Sequence, residues 1–497
     1  MMKKLSEFVS LLSPKALLHF EDTAIQGIAC RPEELQEKSL YCVIDEFLQY
    51  GHWVQGRDLP NSLTSEKIAA LLLEAPVSHI ALPQLIVPDA RKATALAAKY
   101  FFDSPDKNMK LVGVTGTNGK TTTAHLINRL LNACGMRAAA LGTLGLYEGY
   151  EKRAEAVYTT ALSPMLFETL HELLHSRVAA LAMEISSHAL KLDRTFGLDI
   201  DVAVFTNLTR DHLDFHETMA DYRASKLKLF TELKSEAAAV INTDDPAGKE
   251  FMPLCPCRVI SYGCGHEAEL RAENISCSPV GTGFRISYQG KMLEMKTSLI
   301  GNFNVYNVLA AVSACLALGA DADALQAAAH VLSGVAGRVE PVPLPGNRAG
   351  IVDYAHTPDS LEKVLQMLRA SGSKRIITVF GCGGDRDRGK RPLMGEVAAR
   401  LSDICVVTSD NPRRENPDAI IQDILAGMPK QGIPVEPNRR EAIRKAFLMS
   451  REGDVILLAG KGHEPCQIVG DAYFPFDDRE ELRKLSERLC GYDHEKT

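Results

Sequence analysis

The stretch from Gly116 to Thr122, GTNGKTT, has the residue types and spacing of a phosphate cradle. Gly116 and Gly119 let backbone N–H groups approach phosphate oxygens, with Thr117 and Asn118 between them. Lys120 reaches toward the outer phosphates, the Thr121 hydroxyl can bind Mg²⁺, and Thr122 follows. The apolar run KLVGVTG before the turn and the helical run TTTAHLINRLLNACG after it would set the loop at a helix N-terminus, where the backbone favours negative charge. One departure is visible. The usual spacing puts the first glycine at position 114, which is valine here. A purely structural glycine turn is the bland alternative, but GKT between a strand and a helix points to ATP. A phosphate loop alone does not name a reaction.

Groups able to hold a metal lie downstream. Glu184 ends the apolar run ALAME, and His212 follows VAVFTN. Both would project into the crevice that holds Thr121, at the carboxyl ends of parallel strands. A carboxylate, a hydroxyl and an imidazole beside phosphates make a plausible Mg²⁺ shell. His188, Asp211 and His216 are close competitors. A second cluster, TSDNPRRENP, follows the strand-like LSDICVV, so Asp410, Asn411, Pro412 and Arg413 also sit where open α/β sheets keep ligands. Two arginines there suggest an anion; a proline-stiffened turn with solvated charges is the plainer reading of that stretch alone.

These groups need a framework, and the chain supplies an alternation of strand-like and helix-length segments from residue 110 onward. That pattern implies a parallel sheet with helices on its faces. Residues 269–300 suggest a small antiparallel excursion of short strands around GTG and QG turns. The run NFNVYNVLAAVSACLALG reads as one helix ended by Gly319. A second α/β series follows SGVAGRVEPV, with strands in AGIVDYA, RIITVFG, DICVVTS and DVILLAG. Thr357 is expected to cap the helix after the first, with Pro358 at its first position. The expected fold is α/β in three domains, 1–106, 107–336 and 337–497: an N-terminal domain, a central parallel-sheet P-loop ATPase domain and a C-terminal Rossmann-like domain.

The 497 residues are 45% hydrophobic and 24% charged, ordinary for globular proteins, and 56 basic against 63 acidic residues give a net charge of −7. No global basic field exists to hold nucleic acid. Twelve scattered cysteines without a CxxC pair argue against a disulfide or metal framework and for a reduced compartment. The opening twenty residues read as a helix rather than a signal peptide, and IAALLLEAPVSHIALPQLIV is too interrupted to span a bilayer. A cytoplasmic protein without nucleic-acid or membrane partners is expected, as a monomer.

The segments TGTNGKTT, MEISSHAL, TNLTRDHLDFH, YRASK, GNFNVYN, GRVE, DYAHTPDSL, GCGGDRDRGKRPLMG, DNPR and GKGHE occur in the order found in Mur ligases, and the chain resembles that family from about 110 to 480. The resemblance thins toward the N-terminus, to CRPEEL and YGHWVQGRDLP. It implies an ATP-dependent peptide ligase of peptidoglycan precursor synthesis, serving cell wall biogenesis, cell shape and division. Within the family it is most similar to enzymes that add the third residue to UDP-N-acetylmuramoyl-L-Ala-D-Glu through an acyl phosphate. It implies that Lys120, Glu184, His212 and Lys226 are catalytic, and that Thr121, Glu184, His212 and Lys226 serve Mg²⁺, Lys226 as a CO₂-derived carbamate (N6-carboxylysine). Asn304, Arg338 and His356 match ATP contacts. Cys30, His52, Thr159, Thr160, Ser186 and Arg194 match the UDP-sugar-peptide site, with Cys30 where a serine is usual and Leu192 where glutamine is frequent. Arg386, Asp410, Asn411, Pro412, Arg413, Gly460 and Glu464 match the pocket of the added amino acid. Arginine at the end of DNPR implies meso-diaminopimelate, whose extra carboxylate it can grip, rather than L-lysine; an L-lysine-adding enzyme and a folylpolyglutamate synthetase-like ligase are the alternatives.

Overall fold

In the computed structural model, residues 1–47, 53–54, 67–278, 281–370, 372–429 and 432–493 are described, with backbone only at 46–47, 53–54, 278 and 488–493. Three sheets of five or more strands follow one another along the chain, beside three two-stranded ones. The first runs Ala16–Leu18, Gln84–Ile86, Ile68–Leu73, Ser39–Cys42, Gly27–Ala29 in spatial order, all parallel except the first pair. The second has eleven strands. Its centre is the parallel set Ala138–Gly142, Ala180–Glu184, Lys110–Thr115, Val202–Phe205, Ala238–Asn242, Arg258–Gly263. The third places Arg348–Asp353, Asp454–Ala459, Arg375–Phe380 and Ile404–Val407 in parallel, with Glu340–Leu344 antiparallel at the edge. The expected α/β class and three-domain plan hold.

Two details differ from the reading of the sequence. The strands Leu270–Ser278, Gly281–Tyr288 and Lys291–Thr297 are nine, eight and seven residues long rather than short, and they extend the central sheet instead of leaving it. Buried Leu270, Phe284, Ile286, Leu293 and Met295 carry them into the same core as the helix Asn302–Ala317. The opening helix covers only Leu5–Leu12, because Ser13 turns left-handed at φ 45° ahead of Pro14, and the chain then becomes a strand.

Buried apolar residues divide unevenly among the sheets. One cluster runs without a break from Leu5 and Phe8 through Phe101, Phe167 and Phe205 to Phe251, so the first and second sheets share a core. The third sheet has clusters on its two faces that draw on buried residues 339–482, joined among the described residues by the partly buried Leu485 and, from before residue 337, by Ile300 and Phe303. Among the described residues no helix is long and apolar enough to cross a membrane.

Candidate active site

The strand Lys110–Thr115 feeds the loop directly, and the helix Lys120–Ala133 leaves it. Both loop glycines are required. Gly116 and Gly119 have φ 149° and 88°, and a Cβ would stand 1.9 Å from Thr206 Oγ1 or 2.4 Å from Asn307 Oδ1. Lys120 Nζ donates to the carbonyls of Gly116 and Thr117 at 2.9 Å each, curled over the loop. Lys226, from the helix Met219–Thr231, donates to the same Gly116 carbonyl at 2.7 Å and is 1% exposed. Burial, then the neighbouring Lys120, holds the Lys226 amine well below the usual lysine range, and burial lowers Lys120 too. Two lysine side chains on one carbonyl mark a place built for an anion.

Thr121 Oγ1 donates to Glu184 Oε2 at 2.9 Å, while the Thr143 N–H reaches Oε1 at 2.8 Å. Gly142 makes room: a Cβ there would lie 2.1 Å from Glu184 Oε1. Arg338 crosses from the third-sheet region to donate to Thr121 Oγ1 at 3.0 Å. His212 sits at φ 54° ahead of the short helix Leu213–His216, and burial pushes its imidazole down to about 3, so it is neutral. Among the described residues no group of three or more His, Cys, Asp or Glu side chains is arranged around a metal position. A hydroxyl and a carboxylate oxygen at a phosphate loop still fit Mg²⁺, which takes most of its shell from phosphates and water.

Two cavities meet at the loop. One, of about 580 Å³, is lined by Asn118, Gly119, Thr122, Asn304 and Arg338 together with Phe303, Tyr354 and Met367, a mix that suits a purine nucleotide. The other, of about 610 Å³, has Thr117, Lys120, Thr121, Glu184, His212 and Lys226 at one end and Arg386, Asp410, Asn411, Arg413, Gly460 and Glu464 at the other. Asn118, Gly119, Thr122, Arg338 and Tyr354 line both. His356 lines the second cavity rather than the nucleotide-shaped one. Pro412 lines neither; its carbonyl packs on Gly384, where a Cβ would meet it at 1.9 Å.

Thr159, Thr160, Ser186 and Arg194 form one wall of the larger cavity. Thr160 Oγ1 donates to the Glu184 carbonyl at 2.9 Å and accepts from the Ser186 N–H at 3.0 Å, and Arg194 donates to the Thr160 carbonyl at 3.0 Å. Ser186 also caps the helix Ser187–Lys191. Cys30 stands apart from this wall. It is buried in the shared core, its N–H on Glu34 at 3.1 Å, while the adjacent Arg31 reaches the Tyr158 hydroxyl at 3.3 Å. His52 lies outside the described residues.

At the far end, Arg413 has φ 50°, and its Nη1 donates to the Gly384 carbonyl at 2.9 Å; its Nε is buried and finds no hydrogen-bond partner among the described residues. Burial, then the nearby Arg413, lowers Arg386 to about 10, so two guanidinium groups crowd one place. Opposite them, Asn411 Nδ2 donates to Glu464 Oε2 at 2.7 Å. Asp410 Oδ2 is buried without a hydrogen-bond partner among the described residues, and Gly460 (φ 113°) lets it approach, since a Cβ would stand 2.6 Å away. A pocket with two cations on one side and carboxylates on the other complements a zwitterion.

Two residues outside the expected set join the site. Asp211, only a competitor from sequence, is buried between His212 Nε2 at 3.4 Å, His356 Nε2 at 3.6 Å and Lys390 Nζ at 3.4 Å, and despite burial these cations and imidazoles keep it well below the usual carboxylate range. Lys390 itself comes from GDRDRGKRP. The only sequence signal for this cluster was a histidine beside an aspartate.

Residues 114–315 match the Mur ligase middle domain, and residues 337–462 match the domain described as Mur ligase, glutamate ligase domain. The chain belongs to the Mur ligase family, and it is an ATP-dependent ligase. The UDP-N-acetylmuramoyl-L-alanyl-D-glutamate--2,6-diaminopimelate ligase of Syntrophomonas wolfei is 43% identical over 472 residues, covering 93% of this chain and 95% of that protein. A solved structure of a ligase of the same name is 29% identical with a TM-score of 0.67, covering 99% of this chain and 100% of that one. A Mycobacterium tuberculosis folylpolyglutamate synthase, solved with ADP and AMPPCP, shares the fold alone: 18% identity and a TM-score of 0.62 over 74% of this chain and 91% of that one.

Proposed function

We propose that the protein joins meso-2,6-diaminopimelate to UDP-N-acetylmuramoyl-L-alanyl-D-glutamate at the expense of ATP, a step of peptidoglycan precursor synthesis. The observation that carries this is the single cavity with a phosphate loop at one end and the paired Arg386 and Arg413 facing Glu464 at the other. The relatives bearing that activity in their names support it. In the first step a glutamate carboxylate oxygen bonds to the γ-phosphorus, the bond to the β–γ bridging oxygen breaks, and ADP leaves. In the second the substrate amine bonds to the acyl carbon, the acyl C–O bond breaks with loss of phosphate, and the amine gives up a proton. Both steps gather anions, so cations dominate the site. Lys120 and Arg338 face the phosphates; Arg194, Thr159, Thr160 and Ser186 seat the sugar-peptide; Asn304 and His356 contact ATP.

Thr121 and Glu184 would hold one Mg²⁺ and His212 with Lys226 a second, and the metal would supply neutralisation of the phosphate charge. Lys226 serves as an oxygen ligand once carbamylated. Burial and the neighbouring Lys120 disfavour the charged form of its amine; the unprotonated nitrogen can bond to the carbon of CO₂ and release one proton to water, turning a repelled cation into an anion. The domains 1–106, 107–336 and 337–497 handle the UDP-sugar, ATP and amino acid respectively. In this reading the enzyme works in the cytoplasm as a monomer, without nucleic-acid or membrane partners. The test is amide formation from ATP, the UDP-sugar dipeptide and a panel of amino acids. Product with meso-diaminopimelate and little with L-lysine is expected; efficient use of L-lysine would overturn the selectivity, and ATP turnover needing neither carboxylate nor amine would overturn the ligase reading.

A further inference from the structure

Beneath the amino-acid end of the cavity lies a fully buried lysine. Lys461, between Gly460 and Gly462, has 0% exposure, and its ammonium donates to Asn411 Oδ1 at 3.0 Å, Glu464 Oε2 at 3.1 Å and the Cys466 carbonyl at 2.5 Å. Three donors meet three acceptors, so the buried charge is satisfied. Its partners matter more than its own satisfaction. Asn411 and Glu464 both line the pocket, and Asn411 Nδ2 also donates to Glu464 Oε2 at 2.7 Å. Oε2 therefore carries two donors. Among the described residues, Oε1 carries only a long 3.4 Å contact from the Tyr354 hydroxyl. The same Asn411 Oδ1 accepts from the Ile468 N–H at 3.0 Å, which ties this arrangement to the hairpin Cys466–Val469 and Ala472–Pro475.

We propose that Lys461 is a positioning residue for amino-acid recognition: its buried ammonium saturates Glu464 Oε2 and fixes Asn411, so that Glu464 presents Oε1 alone to the substrate ammonium. This rests on the reading of the pocket as the seat of a zwitterionic amino acid. Without the ammonium, Glu464 Oε2 keeps only the Asn411 donor and Asn411 Oδ1 keeps only the Ile468 N–H among the described residues, so both side chains are held less firmly. A carboxylate that must be ordered on binding grips more weakly than one already held. Lys461 touches no reacting atom, so its loss acts on amino-acid affinity rather than on phosphate transfer.

The experiment uses the full chain. Wild type is first run on the amino-acid panel, and Lys461→Met, Lys461→Gln, Glu464→Gln and the double variant Lys461→Met/Glu464→Gln are then measured on whichever amino acid it incorporates. If that is not diaminopimelate, the substrate reading falls while this proposal is still decided. The expected result for Lys461→Met is a rise of about 10-fold or more in KM for the amino acid, with KM for ATP and for the UDP-sugar dipeptide within about twofold of wild type. Lys461→Gln keeps a donor without the charge and loses less. Because Lys461 acts through Glu464, the double variant is no worse than Glu464→Gln alone. The proposal is overturned by an unchanged amino-acid KM, by all three KM values rising together, or by a double-variant loss equal to the product of the single losses. If Lys461→Met does not fold, Lys461→Gln alone and with Glu464→Gln gives the same readings.

Discussion

At Arg413, φ is 50°, a left-handed conformation that costs a residue with a Cβ roughly 1–2 kcal/mol. Two backbone hydrogen bonds to the hairpin hold it there, Arg413 N–H to the Ile468 carbonyl at 3.1 Å and Gly470 N–H to the Arg413 carbonyl at 2.7 Å. The strain is spent on aiming a guanidinium. Arg413→Ala should therefore raise KM for diaminopimelate by on the order of 10–100-fold, with little change in KM for ATP, in steady-state assays. Arg413→Lys should recover only part, since an ammonium lacks the planar fork. Lys120→Ala should lower turnover by about 10²-fold or more, because it removes a cation from the developing phosphate charge; near-normal turnover in a folded variant would remove Lys120 from the mechanism. The Lys226 carbamate should show as bound CO₂ lost on acidification in intact-mass measurements of protein kept in bicarbonate. Single residues were legible where a local motif surrounds them, as with Lys120 or Arg413. Lys461 was not: a lysine between two glycines looks solvated, and its partner Asn411 is fifty positions away. Cys30, a match to the UDP-sugar-peptide site by resemblance, is buried in the shared core.

Elements were easier to read than their lengths. The strand before the phosphate loop and the helix after it announce themselves by apolar period and glycine, and Thr357 does cap the helix Pro358–Ala370, accepting from the Ser360 N–H at 3.2 Å. The three antiparallel strands after residue 269 were underestimated, because turn glycines punctuate a sequence without revealing which larger sheet its strands join. Strand ends also impose local fit. Gly142 closes the strand Ala138–Gly142 against Glu184, with no space for a methyl group. Gly142→Ala should push the Glu184 carboxylate out of line with Thr121 while leaving the sheet intact. A displacement of about 1 Å near the chemistry should lower turnover by about 10²-fold; unchanged kinetics with an unchanged circular dichroism spectrum would show that Glu184 is not needed in that pose.

For the molecule as a whole, buried imidazoles set the acid limit. Burial lowers His125 to about 3 and His216 to about 4, from an ordinary value of 6.5. The unfolded chain then takes up these protons first. Their contribution to stability is whole above about pH 6.5 and is lost as pH falls toward 4 and 3, each group costing about 1.4 kcal/mol per pH unit within its window. The melting temperature should fall steadily from pH 6.5 to 4, and His125→Gln should flatten that fall; a midpoint independent of pH over this range would contradict it. Between the second and third sheets, polar links dominate: Arg338 to Thr121 at 3.0 Å, Asn118 to Asp359 at 2.9 Å, Arg210 to Asp387 at 3.2 Å, and the Asp211 cluster. None was visible in the sequence, since each joins positions far apart.

That division between a shared core and a polar seam bears on how such enzymes are inherited and recombined. The first hundred residues cannot be exchanged for those of another ligase without recutting the packing around Phe8, Phe101 and Phe167. The segment from 337 onward is better suited to exchange, because it brings both faces of its own core and meets the remainder mainly through polar links, with Ile300 and Phe303 the apolar contacts to match. On the proposed division of labour, a chimera that grafts a foreign segment at residue 337 should take on that segment's amino-acid preference while keeping the old nucleotide-sugar one.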